Sequence, residues 1–320
     1  MNIAIISSTK DIASTNIKEQ LLNNFDFQQL KETFDNNPVF QYSTNNNAIN
    51  EKNSNNESNK NDNKENNNTK NNNNEVIKIY TINSELIHTD DLDKKIDADV
   101  FIFISKHRAE EGRASLTVHP IGNFGKNEVG GKEKTLCISP AFLLKNIFLE
   151  LSNNAENSEY DATLEATHHG PYIEKPVLFL ELGSNEKYWK DKNGANIVAK
   201  SLINAIKQFN DKDNPIINNN LKNKNNGNEG YESCFVIGGG HYNHVANKAM
   251  QKSELGVGHI LPKYNLDNLD EEMLKQIMDK IIPMPKFALL DWKGLGKEKQ
   301  KILELLNKND IKYERSDKFF

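Results

Sequence analysis

The sequence predicts an α/β fold with a mostly parallel or mixed central sheet flanked by helices, and three observations carry that reading. Short apolar runs rich in Ile, Val and Phe recur along the chain, the mark of strands buried on both faces. Amphipathic segments lie between them, several opening on a capping residue. Strand–helix alternation of this kind argues for one α/β unit rather than separate all-α and all-β parts.

In chain order, a strand is expected at residues 3–6 and a helix at 17–25, with Ser14 or Thr15 as its N-cap. Strands follow at 76–82, 98–104 and 115–119. A helix at 140–151 opens on Ser139-Pro140, a cap followed by proline at the first helical position. Strands at 161–167 and 176–182 precede a helix at 193–209. A strand at 234–237, a helix at 244–252 and a helix at 270–282 come next; Asp270, Glu271 and Glu272 suit that helix's N-terminus. A strand at 287–290 and a helix at 297–309 complete the pattern.

The 320 residues carry 45 acidic and 40 basic side chains, a net charge of -5. A mean hydropathy of -0.73 looks too polar for one folded unit, but the deficit is local. Between Thr44 and Asn74 more than half the residues are Asn. Such a tract buries too little apolar surface to offset the entropy of ordering it, so 44–74 reads as a disordered insertion. A polar loop at 214–229 and a shorter one at 153–159 look alike. The expected organisation is a single α/β domain over 1–320, interrupted by these loops.

Several functional classes fall away. No apolar run is long enough to span a membrane, and the first residues lack the basic flank and apolar region of a secretory signal. Cys137 and Cys234 are far apart in apolar surroundings, as buried thiols in a reducing cytoplasm would be. A mildly acidic chain is not a general nucleic-acid coat, so any RNA must meet a local basic patch. Lys132 with Lys134, or Lys293, Lys297, Lys299 and Lys301, are candidates for it.

Ligand sites in open α/β sheets lie at the carboxyl ends of strands. Five of the eight histidines fall there, in three groups. Gly238-Gly239-Gly240-His241-Tyr242-Asn243-His244 follows a strand and opens a helix. Its glycines allow close backbone approach, and its free amides suit an anion or oxyanion. His241 and His244, three apart, share a face if the helix begins there, and such a pair binds metal or caps the helix. In Glu165-Ala166-Thr167-His168-His169-Gly170-Pro171 the two imidazoles alternate if the segment is a strand, one reaching the site and the other packing. Glu165 is placed to accept a proton or ligate. His107-Arg108-Ala109-Glu110-Glu111-Gly112-Arg113 offers a ligand, acid–base carboxylates and arginines for a phosphate or carboxylate; a solvated turn with weak ion pairs is the bland alternative. His119 and His259 line a pocket or serve as buried hydrogen-bonded rings, and His88 reads as surface. Ser8, with neighbouring Lys10, sits at the end of the first strand, where it binds phosphate or ribose or simply caps a helix. The G-x-S-x-G elbow, C-x-x-C pairs and H-E-x-x-H are absent from the sequence.

Taken together, several segments resemble the archaeal and plant-type D-aminoacyl-tRNA deacylases. They are Ser8-Thr9-Lys10-Asp11, the run from Ser105 through His119-Pro120-Ile121-Gly122-Asn123-Phe124, and Glu165 to Pro171. Phe179-Leu180-Glu181-Leu182-Gly183-Ser184, Gly238 to Tyr242, Gly256-Val257-Gly258-His259-Ile260 and Asp291-Trp292-Lys293-Gly294-Leu295 continue the likeness over nearly the whole chain. The Asn-rich insertion is the main departure, and it interrupts none of these segments.

The resemblance implies a cytoplasmic hydrolase that cleaves the ester between a D-amino acid and the terminal adenosine of tRNA. It implies two zinc ions per monomer and a fold akin to phosphorylases and bacterial peptidyl-tRNA hydrolases. The expected roles are catalysis by His107, Glu110, Glu165, His168 and His241, and metal ligation by His107, His168, His169, His241 and His244. Ser8, Lys10, Arg108, Arg113, His119, Gly238, Gly239, Gly240 and His259 are expected to contact the acceptor end of D-aminoacyl-tRNA, with no DNA or membrane partner. A zinc hydrolase or nucleoside phosphorylase acting on a small molecule, and a non-catalytic RNA-binding module, are the alternatives.

Overall fold

The computed structural model describes residues 1–43, 76–209 and 232–320. The Asn-rich tract at 44–74 and the polar loop at 214–229 lie outside the described residues. The chain opens with β1 (Asn2–Ser8), α1 (Ile12–Asn24), β2 (Gln28–Phe34), β3 (Asn37–Ser43), β4 (Val76–Ile82), β5 (Val100–Arg108) and β6 (Ser115–Pro120). Short strands β7 (Gly122–Asn123), β8 (Thr135–Leu136) and β9 (Ser139–Pro140) lead into α2 (Ala141–Ala155), β10 (Asp161–Leu164) and β11 (Val177–Ser184). Next come α3 (Glu186–Trp189), α4 (Lys192–Phe209), β12 (Ser233–Ile237), α5 (His244–Lys252), β13 (Gly256–Leu261) and α6 (Glu271–Asp279). β14 (Ile281–Ile282), β15 (Phe287–Leu290), α7 (Lys299–Lys308), β16 (Tyr313–Arg315) and α8 (Ser316–Phe319) end it.

Eight strands form a mixed sheet in the order β10-β6-β11-β5-β1-β4-β3-β2. Its central strands β11, β5, β1 and β4 are parallel, whereas β6 runs antiparallel to β11 and the β2–β3 hairpin antiparallel to β4. A second sheet, β13-β12-β15-β16, is wholly parallel. The α/β expectation therefore stands, but among the described residues a second four-stranded sheet and two short two-stranded ones, β14-β9 and β7-β8, join the one that was expected.

Alternation along the strands decides what each face buries. Ile102, Ile104, Leu178, Leu180, Leu182, Leu116 and Val118 face α1, α2 and α4 in one core. Phe101, Phe103, Val177 and Phe179 form another on the opposite face, with Leu86, Leu92 and Ile173 from the connections. The rings of Phe103 and Phe179 stack at 4.9 Å, an arrangement worth about 0.5–1.5 kcal/mol beyond the buried area. A third core fills the second sheet.

Several boundaries differ from expectation. α1 starts earlier because Asp11, not Ser14 or Thr15, is its N-cap and accepts from Ser14 N at 2.9 Å. Ser139 and Pro140 are extended rather than a cap and first turn, because they pair with β14. α2 runs on through Asn153 and Asn154, so the polar stretch at 153–159 begins inside a helix. β10 ends at Leu164. The helix expected at 270–282 stops at Asp279, where the chain turns into β14; Asp270 caps it.

Candidate active site

The same alternation that points Phe103 and Phe179 away from the helices also points Ser105 and His107 of β5 and Glu181 of β11 to that face. On β6, Ser115, Thr117 and His119 stand there too, opposite Leu116 and Val118. Register places Thr117 against Glu181, and His119 against Phe179. The site thus lies at the carboxyl ends of β5 and β11, over the stacked phenylalanines. Gly183 sits beside His107 in register, and a Cβ there would come within 2.6 Å of His107 Cβ; only glycine leaves that imidazole its place. Trp189 Nε1 donates to His107 O at 2.7 Å, and Lys106 N donates to Asp11 Oδ2 at 3.0 Å, which fixes the backbone on both sides.

The second half of the site comes from the seam between the sheets. Beyond β10 the chain stays extended, with Glu165 bridged to Tyr242. Ala166 N donates to His241 O at 2.7 Å, and Thr167 N to Ile260 O at 3.0 Å. This segment carries Glu165 and His168 into the space over the first sheet, and the loop after β12 delivers His241 and Tyr242. His169 departs from the expected alternation. Its φ of +46 is a left-handed conformation uncommon for a residue with a Cβ, and it brings both rings of the pair to the same cluster, 4.4 Å apart.

Glu165 is 0% exposed and sits at the centre. Its Oε1 lies 3.0 Å from His107 Nδ1, and its Oε2 lies 2.9 Å from His241 Nε2 and 3.5 Å from His168 Nε2. Glu181 accepts from Ser105 Oγ at 2.5 Å and lies 3.3 Å from His107 Nδ1. His107 Nε2 meets the Tyr242 hydroxyl at 2.8 Å. Burial opposes charge on His107, but Glu165 and Glu181 outweigh it and hold its pKa at about 12, so the ring is an imidazolium between two carboxylates. Burial likewise opposes charge on Glu165, and His107 with His241 keeps it well below the usual carboxylate range. His168 and His169 are shifted the other way by burial and by the neighbouring His119, His169 to about 4. The cluster is therefore a salt-bridged half beside a half of neutral imidazoles.

Three sets of donor atoms converge within 4.8 Å of one another: His119–His168–His169, Glu165–His168–His241 and His107–Glu165–Glu181. Both Glu165 oxygens and His119 Nε2 are buried without an aligned hydrogen-bond partner. Such atoms cost stability unless something else pairs with them. Imidazole nitrogens and carboxylate oxygens are the donors that divalent transition metals take, so these residues fit a metal ion.

The other expected site residues lie elsewhere. α5 begins at His244, after Asn243 as N-cap, so His241 belongs to the loop and the two do not share a helix face; His244 is exposed. Glu110 is exposed in the turn after β5, Arg108 packs over Trp189 with its guanidinium 5.3 Å from the ring, and Arg113 pairs with exposed Glu111. Lys10 is exposed at the loop after β1. Ser8 Oγ donates to Ser84 O and accepts from Lys10 N, holding the loop. Gly238 and Gly239 take φ of +102 and +84, which glycine alone adopts freely. Gly238 N bonds Leu261 O, and Gly239 O accepts from Lys263 N. His259 is a buried tie, 3.1 Å from Thr167 Oγ1 and 3.0 Å from Cys137 O. Cys137 and Cys234 are buried, their thiols pushed up to about 11 and 12 by burial. The lysine candidates are partly engaged: Lys132 lies over Tyr172, Lys134 pairs with Asp270, Lys299 lies over Trp292, and Lys297 and Lys301 flank Glu298.

Glu181 was missed as a site residue, although one acid inside an otherwise apolar strand was its signal. Tyr242 stood in the glycine motif without a role.

A family model for D-aminoacyl-tRNA deacylase matches residues 94–314, well over half the chain. The chain belongs to the D-aminoacyl-tRNA deacylase family. A deacylase of this name from Pyrococcus furiosus is 30% identical over 318 residues, covering 97% of this chain and 98% of its own length. One from Methanosarcina mazei is 30% identical over 96% of this chain and 89% of its own. The crystal structure of a conserved protein of unknown function superposes with a TM-score of 0.74 at 26% identity, covering 99% of this chain and 96% of that one. The buried cluster is thus set in a deacylase fold, and no helix among the described residues is long and apolar enough to cross a membrane.

Proposed function

We infer that this chain hydrolyses the ester of D-aminoacyl-tRNA, releasing the free D-amino acid and tRNA, and that it does so at Glu165 and the imidazoles around it. Family membership over residues 94–314 carries the activity. The fully buried Glu165, reached by His107, His168 and His241, supports the location. The whole chain acts as one catalytic unit, a cytoplasmic monomer that takes the acceptor end of the tRNA.

Zinc is the metal whose ligand chemistry suits this set, two ions per chain by the family likeness. His119, His168, His169 and His241 would hold it with Glu181, which leaves Glu165 free as a base; His119 enters the set in place of His244, and His107, held as an imidazolium, leaves it. When bound, zinc would polarise the ester carbonyl and acidify water at neutral pH. Glu165 Oε2 takes a proton from the attacking water. His107, charged and held by Glu181 and Tyr242, keeps Glu165 ionised for that task and sets its position. The Gly239 and Gly240 amides, Arg108, Arg113 and Lys10 border the strand ends, where terminal phosphate and ribose groups would meet them; the Gly238 amide is already bonded to Leu261 O.

The test is deacylation of D- and L-tyrosyl-tRNA with and without a chelator. The reading expects hydrolysis of the D form alone, loss on chelation and recovery with zinc. Activity on free nucleosides or simple esters and none on charged tRNA would contradict it.

A further inference from the structure

All four strands of the second sheet run parallel, in the order β13-β12-β15-β16, so their carboxyl ends open on one side of it. β13 lies at the seam, where Ile260 O accepts from Thr167 N. The loops at those ends therefore form a row that leads away from the catalytic cluster, roughly 14 Å long at the usual strand spacing.

The loops of this row touch one another. Lys263 N donates to Gly239 O at 2.9 Å, and a Cβ on Gly294 would stand 3.1 Å from Gly239 N. The loops after β13 and β15 thus both rest on the glycine loop that carries His241. The Tyr264 hydroxyl meets His241 Nδ1 at 3.0 Å, yet the residue is 57% exposed. Phe319 is the other aromatic residue among the exposed large apolar side chains, and it packs against Phe287 and Phe320. Tyr264 has no such neighbouring ring among the described residues. Its hydroxyl is anchored and its ring stands open to solvent.

Positive charge follows the same row. Residues 291–301 hold four lysines and two acids, in a chain of net charge -5. Lys263 and Lys293 are exposed, and neither ammonium has an ion-pair partner among the described residues. Farther out, the Lys299 ammonium lies 4.5 Å and the Arg315 guanidinium 4.3 Å from the centre of the Trp292 ring; Asp317 also meets that guanidinium. On the rim of the first sheet, by contrast, Arg108 and Arg113 stand among Glu110 and Glu111, and the charges cancel.

We propose that this row is the track of the unpaired 3′ end of tRNA: a base stacks on Tyr264, and phosphates leading away from the ester meet Lys263 and Lys293. An aromatic platform beside free cations is how single strands are held, since every base has a face to stack and every link carries a charge. A duplex keeps its base faces inside and would leave Tyr264 unused. The choice of tRNA rests on the deacylase reading above, whereas the row as a single-strand site does not.

The experiment measures the affinity of the full chain for uncharged tRNA, and for the same tRNA trimmed of its unpaired 3′ nucleotides, over a series of NaCl concentrations. Tyr264→Ala should weaken binding of the intact probe by about 5–150-fold, the range for one lost stacking contact, and bind the trimmed probe as the parent does. Tyr264→Phe keeps the ring and should bind the intact probe well ahead of Tyr264→Ala, a gap that a role confined to the hydroxyl would not produce. Lys263→Gln and Lys293→Gln should each make the slope of log affinity against log salt shallower by about 0.7. Lys31→Gln, exposed on the far edge strand β2, should keep the parental slope. Equal affinity of the parent for the two probes, or of the two Tyr264 variants for the intact one, would overturn the proposal. So would parental slopes in both Lys263→Gln and Lys293→Gln. Binding that depends on Tyr264, by a chain that leaves D-tyrosyl-tRNA uncleaved, would overturn the deacylase reading and uphold the track.

Discussion

Two stretches of this chain carry carboxylates next to the same strand ends, and they have opposite fates. The turn after β5 packs Glu110 and Glu111 among Arg108 and Arg113, and all four are exposed. β11 carries one acid, Glu181, between Leu180 and Leu182, and it is buried against His107. Charge density is what a solvated surface tolerates cheaply. A lone charge in a strand covered on both faces is costly unless partners meet it, so its presence there is the stronger sign of a working group. Glu165 follows the same rule at the seam, where the chain is buried by two sheets at once.

Substitutions separate the two stretches. The largest effect expected is that of Glu165→Gln, which keeps the shape and removes the charge that His107, His168 and His241 share. It should lower kcat on D-tyrosyl-tRNA by about 10²–10⁴-fold, measured in steady state. Next is acid stability of the metal-free chain, read from urea unfolding at pH 7 and pH 4. Burial lowers the folded pKa of His259 to about 4. Above pH 6.5 the ring is neutral in both states and contributes no pH dependence. As pH falls toward 4 the unfolded chain takes up the proton first, and stability drops by about 1.4 kcal/mol per pH unit from this group. His259→Asn should flatten that part of the acid limb. Ser105→Ala deletes the donor to the Glu181 carboxylate and should destabilise by about 1.5–3 kcal/mol in the same assay. Smallest are His244→Ala and Arg113→Ala, expected within about 0.5 kcal/mol of the parent.

The strands of the central sheet were legible because both of their faces are buried, so apolar runs such as Phe101-Ile102-Phe103-Ile104 announce themselves. The β2–β3 hairpin was not, since β2 is largely exposed and its Gln, Lys and Glu side chains carry no burial pattern. β13 was hidden by Gly256 and Gly258, which read as a loop until the Ile281 side chain is seen packed where a Cβ on Gly258 would stand. At the site, three histidine groups at strand ends pointed to His107, His168, His169 and His241, which the structure gathers beside Glu165. The convergence itself was not legible, because it depends on the left-handed turn at His169 and on two sheets meeting beside Glu165. His244 failed for a local reason, namely that Asn243 starts the helix one residue before it.

The division between buried acids that take part in turnover and exposed ones that do not runs through the whole site. It is tested most directly by kcat on D-tyrosyl-tRNA for Glu181→Gln beside Glu110→Gln. A fall of at least about tenfold is predicted for the first and the parental rate for the second. Parental turnover by Glu181→Gln, with Glu110→Gln inactive, would contradict it.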